Sequence, residues 1–297
     1  MHTGDPFRGA QVAVYTGADP TAHGGKTEDA FDIVLPSLPG YGFSEDPKEV
    51  GWDPSRTAQA WAELMTRLGY THYVAQGGDQ GAAVTDYMAI QAPDGPIGIH
   101  LNFLRRPPAE IAAAVFAGAP DPEGLTDEER AAFEPFKAQL RKGYIIEQGQ
   151  TPQTIGYSLS DSPIGLAAWI LDHDTESYEK ISRAFLDGHP PGNLTRDHIL
   201  DNITLYWLTR TGTSAARIYW EGARAAAPAG RTPTEVSLPV AFTVFPDEIF
   251  KAPRSWAERV YPNLIYWSEV DRGGHFAGWE EPELFATELR SAFRPLR

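Results

Sequence analysis

One stretch of the chain, residues 73–84, places an apolar strand directly before a helix. Its sequence is Tyr-Val-Ala-Gln-Gly-Gly-Asp-Gln-Gly-Ala-Ala-Val, with glycines on both sides of a single carboxylate, Asp79. Such a corner strains the backbone, and Gly77 and Gly81 remove the Cβ atoms that would collide there. The pattern is typical of a nucleophile elbow in which an Asp attacks carbon and forms an ester. A plain loop is the alternative, because Asp and Gly are ordinary turn residues.

Composition limits the classes of function. With 297 residues, 42% of them hydrophobic, the chain can form one large α/β domain with an insertion. The formal charge of -15 argues against nucleic acid and anionic membrane surfaces, so we expect a small-molecule partner. No apolar run reaches the roughly 20 residues that span a bilayer, and residues 1–20 lack a signal-peptide pattern, so the expected compartment is the cytoplasm.

The same composition argues against a resident metal or cofactor. There is no cysteine, which excludes disulfides, thiol catalysis and cysteine metal sites. The eight histidines show no spacing typical of metal ligands. We therefore expect neither a metal nor another cofactor.

Hydrophobic patterns predict an α/β fold with a mostly parallel sheet and an inserted helical cap. Val12, Val14 and Tyr15 suggest a short strand-like run in an otherwise irregular start. The predicted strands are 31–35, the run ending at the elbow, 97–103, 239–245 and 264–267. The predicted helices outside the insertion are 54–68, 82–91, 254–260 and 283–293. The predicted domains are a first core part at 1–103, a helical cap at 104–237 and a second core part at 238–297.

Two side chains late in the chain are candidate partners for Asp79. An α/β-hydrolase presents its nucleophile, acid and histidine in that order, each at a strand end. Glu248 follows the strand at 239–245, and His275 follows the next strand. A carboxylate that orients the Nδ1 proton of His275 would leave Nε2 to take a proton from water. Asp247 is the rival for the acid, and a hydrogen-bonded core residue is the alternative for the histidine.

Four motifs resemble those of the microsomal-type epoxide hydrolases: Pro-Ser-Leu-Pro-Gly-Tyr-Gly-Phe-Ser at 36–44, the Gly-Gly-Asp elbow, residues 156–169, and Arg-Gly-Gly-His-Phe at 272–276. The resemblance runs from about Phe31 to the C-terminus. It implies an α/β-hydrolase fold and an attack of Asp79 on an epoxide carbon. It also implies that water activated by His275 and Glu248 hydrolyses the alkyl-enzyme to a vicinal diol. The implied partners are a small-molecule epoxide and water, with a homodimer as the candidate assembly.

The resemblance further implies two cap tyrosines that donate a proton to the departing oxygen, and these should be Tyr144 and Tyr219. A phenol suits the task because it is neutral at pH 7 and donates one hydrogen bond. Trp169, Trp207 and Phe276 are the residues we expect in the substrate pocket, which would suit a lipophilic substrate.

The sequence departs from the family pattern in two places. Gln80 follows the nucleophile where the family commonly has an aromatic residue, although its backbone N–H can still serve as an oxyanion donor. The family's N-terminal extension and His-Gly-x-Pro loop are not found, and residues 22–25 resemble that loop only superficially. The chain thus looks like an N-terminally truncated member, which predicts that the Asp79 ester forms faster than it is hydrolysed.

Other functions remain open at this stage. One is an enzyme that opens an epoxide intramolecularly to a cyclic ether during natural-product assembly. Another is a catalytically impaired, hydrolase-like binding protein. Haloalkane dehalogenation shares the Asp elbow but is disfavoured by the tyrosine pair and by Gln80.

Overall fold

The computed structural model describes residues 18–172, 175–186, 192–225 and 236–297. Its four strands form one sheet in chain order, and all three neighbouring pairs are parallel. The strands are β1 (Tyr73–Gly77), β2 (Pro96–Leu101), β3 (Val240–Val244) and β4 (Leu264–Glu269). The predicted parallel α/β sheet is therefore confirmed, as are the strands predicted near 97–103, 239–245 and 264–267.

Along the chain, helices precede, separate and follow the strands of this sheet. Helices α1 (Pro54–Arg67) and α2 (Asp79–Gln91) precede β2, and they pack against each other. The helices between β2 and β3 are α3 (Ala109–Phe116), α4 (Asp127–Gln139), α5 (Gly143–Gln150), α6 (Pro152–Asp161), α7 (Pro163–Leu171), α8 (Thr175–Leu186), α9 (Arg196–Thr209) and α10 (Gly212–Ala225). Helix α11 (Arg254–Val260) joins β3 to β4, and α12 (Ala277–Glu280) and α13 (Pro282–Phe293) follow β4. Three short 3₁₀ turns are Pro20–His23, Thr27–Asp29 and Arg294–Leu296. The domain boundaries at 103/104 and 237/238 stay a prediction.

Local signals explain where helix α1 begins and ends. The Asp53 side chain accepts a hydrogen bond from the backbone N–H of Arg56 (2.8 Å), and Pro54 occupies the first turn, where its missing N–H costs nothing. Gly69 follows with φ +85°, the left-handed conformation that ends many helices. The helix predicted at 54–68 is confirmed, whereas the one predicted at 82–91 begins earlier, at Asp79.

The strand predicted at 31–35 is wrong. These residues have no strand assignment, and the side chains of Ile33 and Leu35 are exposed rather than buried. A strand needs a neighbour that completes its hydrogen-bond ladder, and within the described ranges β1 pairs with β2 alone. Phe31 instead packs edge-on against Phe293, with ring centroids 6.3 Å apart, and lies under the Arg297 guanidinium. The strand-like run at residues 12–15 lies outside the described residues.

Helix α10 is held to the loop after residue 36 by side chains from both segments. The Ser214 hydroxyl donates to the Gly40 carbonyl (2.6 Å), and the Tyr41 hydroxyl donates to the Ala215 carbonyl (2.9 Å). The first bond is buried and the second is partly buried. They fix the helix that carries Tyr219 relative to the first part of the chain.

A close helix crossing adds to this fixation. Helix α6 approaches α10 at Gly156, where a Cβ atom would lie 2.5 Å from Cγ2 of Thr213. The Thr213 hydroxyl donates to the Gly156 carbonyl at 2.9 Å. Any larger residue at 156 would force the two helices apart.

A buried polar group lies in the sheet, away from the elbow. His100 of β2 is fully buried, and its Nε2 is 2.9 Å from the Thr243 hydroxyl, which donates to Glu288 (3.1 Å). The rings of Phe285 and Phe293 pack edge-on against the imidazole. Burial lowers the pKa of His100 to about 3, so the ring stays neutral in the folded protein.

We expect this histidine to make the fold sensitive to acid. Its folded pKa of about 3 lies below the unfolded value of 6.5, so between these limits the unfolded chain binds the extra proton and stability falls as pH falls. The loss from pH 7 to pH 5 should be about 2 kcal/mol, at about 1.4 kcal/mol per pH unit below 6.5. Urea unfolding at both pH values would measure it. The loss of unfolding free energy between pH 7 and pH 5 should be smaller by that amount in His100→Gln but unchanged in the exposed control His72→Gln. An equal loss in the wild-type protein and in both variants would contradict the argument.

Candidate active site

The corner between β1 and α2 has the geometry of a nucleophile elbow. Asp79 is the first residue of α2 and has φ +41°, a strained conformation for a residue with a side chain. Gly77 ends β1, and a Cβ atom there would lie 2.1 Å from the Gly81 carbonyl oxygen. The plain-loop alternative is thereby excluded, because strand and helix meet within two residues.

The structure brings His275 and Glu248 together beside this corner. Nδ1 of His275 is 2.5 Å from Oε1 of Glu248, and that oxygen also accepts the backbone N–H of Ile249 at 2.8 Å. Nε2 of His275 is 3.9 Å from Oδ2 of Asp79. The side chains of His275 and Glu248 are 1% and 3% exposed, whereas that of Asp79 is 24% exposed. Of the three side chains, that of Asp79 is therefore the most accessible to a ligand.

The two carboxylates control the charge of the histidine. Burial by itself lowers the pKa of His275, but the charge of Glu248 and the hydrogen bonds with Asp79 and Glu248 outweigh it. Together they raise the pKa of His275 well above 6.5. The ring is therefore protonated at neutral pH while Asp79 carries its charge.

The neighbouring carboxylate, Asp247, points elsewhere. It is 3.0 Å from Nζ of Lys180 on α8, and its side chain is 45% exposed. Lys180 also pairs with Glu280. Of the two acids left open by the sequence, the structure places Glu248, not Asp247, against His275.

A cavity of ≈150 Å³ opens above Asp79. Tyr144 and Tyr219 both line it, and their rings meet edge to face with centroids 6.0 Å apart. Burial, together with the charge of Asp79, raises the pKa of Tyr219 well above 10, so its hydroxyl keeps its proton at neutral pH. Much of the remaining wall is apolar, including Leu159, Leu166, Trp169, Ile199, Phe276 and Trp279.

Two of the three residues predicted for the substrate pocket line the cavity. Trp169 and Phe276 line the cavity, whereas Trp207 of α9 lies outside the described lining and is half-buried. Helix α9 instead turns Asn202 and Tyr206 toward the cavity. Trp207 follows Tyr206 directly and so lies about 100° around the helix from it.

Sequence reasoning missed several residues that line the cavity or contact the tyrosines. The Gln139 amide contacts the Tyr144 hydroxyl, and Tyr41, Gln148 and Asn202 lie in the cavity wall. Tyr41 belongs to the loop at 36–44, so its position in a family motif was an available signal. The others had none, because an isolated amide residue in a helix has no characteristic spacing.

Within the described ranges, no helix has the length and apolar composition that crossing a bilayer would require. No group of three or more His, Asp or Glu side chains in them is arranged to hold a metal ion.

Several known proteins are similar to this chain, although no protein-family model matches it. It is 52% identical over 283 residues to a candidate epoxide hydrolase of Stigmatella aurantiaca (strain DW4/3-1), a match that covers 94% of this chain and 60% of that protein. It is 36% identical over 280 residues to epoxide hydrolase 1 of Sus scrofa, which covers 92% of this chain and 62% of that protein. The crystal structure of juvenile hormone epoxide hydrolase from the silkworm Bombyx mori matches with a TM-score of 0.76 at 30% identity, over 98% of this chain and 72% of that one. This chain belongs to the epoxide hydrolase family.

Membership of the epoxide hydrolase family confirms the predicted resemblance and the α/β-hydrolase fold. Asp79, Glu248 and His275 therefore lie, in this chain order, in the fold that the sequence predicted. The chain spans about three fifths of the length of the curated relatives it matches, 60% and 62% in the two cases above.

Proposed function

We propose that this epoxide hydrolase homologue converts a lipophilic epoxide to a vicinal diol through an ester on Asp79. The observation that carries the proposal is the position of Asp79 at a strained corner, open to an apolar cavity and 3.9 Å from His275. A carboxylate placed beside a histidine–carboxylate pair can form an ester and then be released from it. The cytoplasmic location and the homodimer remain predictions from the sequence.

In the first half-reaction, an Asp79 carboxylate oxygen attacks one epoxide carbon and the ring C–O bond breaks. The departing oxygen gains negative charge and takes a proton from Tyr144 or Tyr219 above it. Tyr219 suits this role because its raised pKa keeps it neutral and able to donate. The products of the step are a hydroxyalkyl ester of Asp79 and a tyrosinate.

In the second half-reaction, His275 takes a proton from water, and the hydroxide attacks the carbonyl carbon of the ester. Esterification removes the Asp79 charge, which is one of the causes that raise the pKa of His275, so before this step the ring releases its proton, which restores the tyrosine, and becomes a neutral base. The Gln80 backbone N–H is in the first turn of α2, where amides lack partners within the helix, and it supports the oxyanion. The acyl C–O bond then breaks, the His275 imidazolium protonates the leaving alkoxide, and the diol leaves with an oxygen of Asp79. The proton of the new Asp79 carboxyl group passes back to His275.

Replacing either tyrosine with Phe is expected to slow ring opening by roughly 10² to 10⁴-fold, the range for loss of an acid catalyst. Single-turnover rapid-quench measurements with a styrene oxide-like substrate would follow Asp79 ester formation. Hydrolysis of the preformed ester should stay near the wild-type rate, since the tyrosines act before it. Tyr157→Phe is the matched control, because that side chain is 69% exposed on α6.

These experiments test the role of the tyrosines and the identity of the overall reaction separately. Unchanged ester formation in both Phe variants and in the double variant would remove the tyrosines from the mechanism. The product identifies the reaction itself, because a diol supports hydrolysis, a cyclic ether supports an epoxide-opening cyclase, and no product supports a binding protein.

A further inference from the structure

One of the two cavity tyrosines, Tyr144, is hydrogen-bonded to a glutamine. Gln139, the last residue of α4, donates from Nε2 to the Tyr144 hydroxyl oxygen at 2.7 Å. Tyr144 lies in the first turn of α5, so this bond joins the end of one helix to the start of the next.

The direction of this bond determines what Tyr144 can do. A phenol has one O–H to donate and lone pairs to accept with. When an amide N–H occupies a lone pair, the phenol can direct its own O–H to another acceptor, such as an epoxide oxygen. An N–H donor also stabilises the negative charge that grows on the phenol oxygen as its proton leaves.

The contacts of the Gln139 side chain contribute little to the stability of the folded protein. The residue is 5% exposed, and its carbonyl oxygen has no hydrogen-bond partner among the described residues. Burying an unpaired carbonyl costs free energy, and one bond to Tyr144 offsets only part of that cost. A residue of the same length without an amide would avoid this cost.

We propose that Gln139 is a positioning residue for ring opening: its amide N–H fixes the Tyr144 hydroxyl so that the phenol proton is directed to the epoxide oxygen. The inference rests on the proposed function, since it assigns Gln139 an effect only through an acid catalyst of the first half-reaction.

The test is a double-mutant cycle of Gln139→Met and Tyr144→Phe, with Asp79 ester formation measured in single turnovers. Gln139→Met keeps the length of the side chain and removes the donor, and it should slow ester formation by about 10-fold. Hydrolysis of the preformed ester should not change, and the melting temperature should not fall. In the Tyr144→Phe background the same substitution should have no further effect, because its route of action is gone. Gln153→Met, at an exposed position on α6, is the matched control.

Several results would overturn the inference. The inference alone would be overturned if Tyr144→Phe slows ester formation while Gln139→Met forms the ester at the wild-type rate or faster. A faster rate in Gln139→Met would mean that the amide accepts a hydrogen bond from the phenol. An equal slowing by Gln139→Met in both backgrounds would show a general structural effect. Wild-type ester formation by Tyr144→Phe would instead remove Tyr144 from the proposed function, and the role of Gln139 with it.

Discussion

Asp79→Asn is expected to lower epoxide turnover by on the order of 10⁴-fold or more and to abolish covalent labelling of the protein by epoxides. An amide oxygen is a poor nucleophile, and in the described residues no other carboxylate occupies the strained corner between β1 and α2. Asn is preferred to Ala because Asp79 has φ +41°, and Asn tolerates the left-handed region better than Ala does. Turnover assays and intact-protein mass spectrometry would measure both effects.

The control for this variant should remove a carboxylate without touching the cavity. Asp271→Asn meets that requirement, because Asp271 is 83% exposed beside Arg272 in the loop before His275. It should keep wild-type labelling and turnover. Retained labelling in Asp79→Asn would contradict the assignment of the nucleophile.

The other large effect is expected at His275. His275→Gln should still form the Asp79 ester but should hydrolyse it on the order of 10² to 10⁴-fold more slowly, because the general base is needed only in the second half-reaction. Each active site should then hold one epoxide equivalent, and after a single burst turnover should continue only at the slowed rate of ester hydrolysis. Rapid-quench kinetics and the mass of the intact protein would show the burst and the adduct.

A histidine far from the site provides the comparison. The exposed His72→Gln variant should turn over at the wild-type rate and should hold no more adduct than the wild-type protein. An inactive His275→Gln protein that carries no adduct would contradict the division of labour between attack and hydrolysis. So would steady turnover at the wild-type rate.

The elbow and the sheet could be predicted because their signals are local. Gly77 and Gly81 are needed wherever a strand turns directly into a helix, and the alternation of strands and helices dictates parallel pairing. The strand at 31–35 failed for the opposite reason. Its apolar pattern is local, but a strand also requires a neighbour, and the sequence of the segment does not specify one.

Parts of the site depended on packing that no pattern records. Asp247 and Glu248 are adjacent in the sequence, so the sequence alone does not show which of them contacts His275. In the structure, the turn after β3 places Glu248 against His275, and Asp247 pairs with Lys180. The tyrosines could be chosen only by resemblance to a family. Gln139 had no signal, because its contact with Tyr144 depends on how the end of α4 meets the start of α5.

The central claim is that Asp79, rather than water, attacks the epoxide. A single turnover in H₂¹⁸O with enzyme in excess tests it most directly, by mass spectrometry of the diol and of the peptide that contains Asp79. Because the ester C–O bond breaks on the carbonyl side, the first diol should carry an unlabelled oxygen from Asp79, and the Asp79 carboxylate should gain ¹⁸O. A first diol that contains ¹⁸O, with an unlabelled Asp79, would mean that water attacks the epoxide directly and would contradict the account.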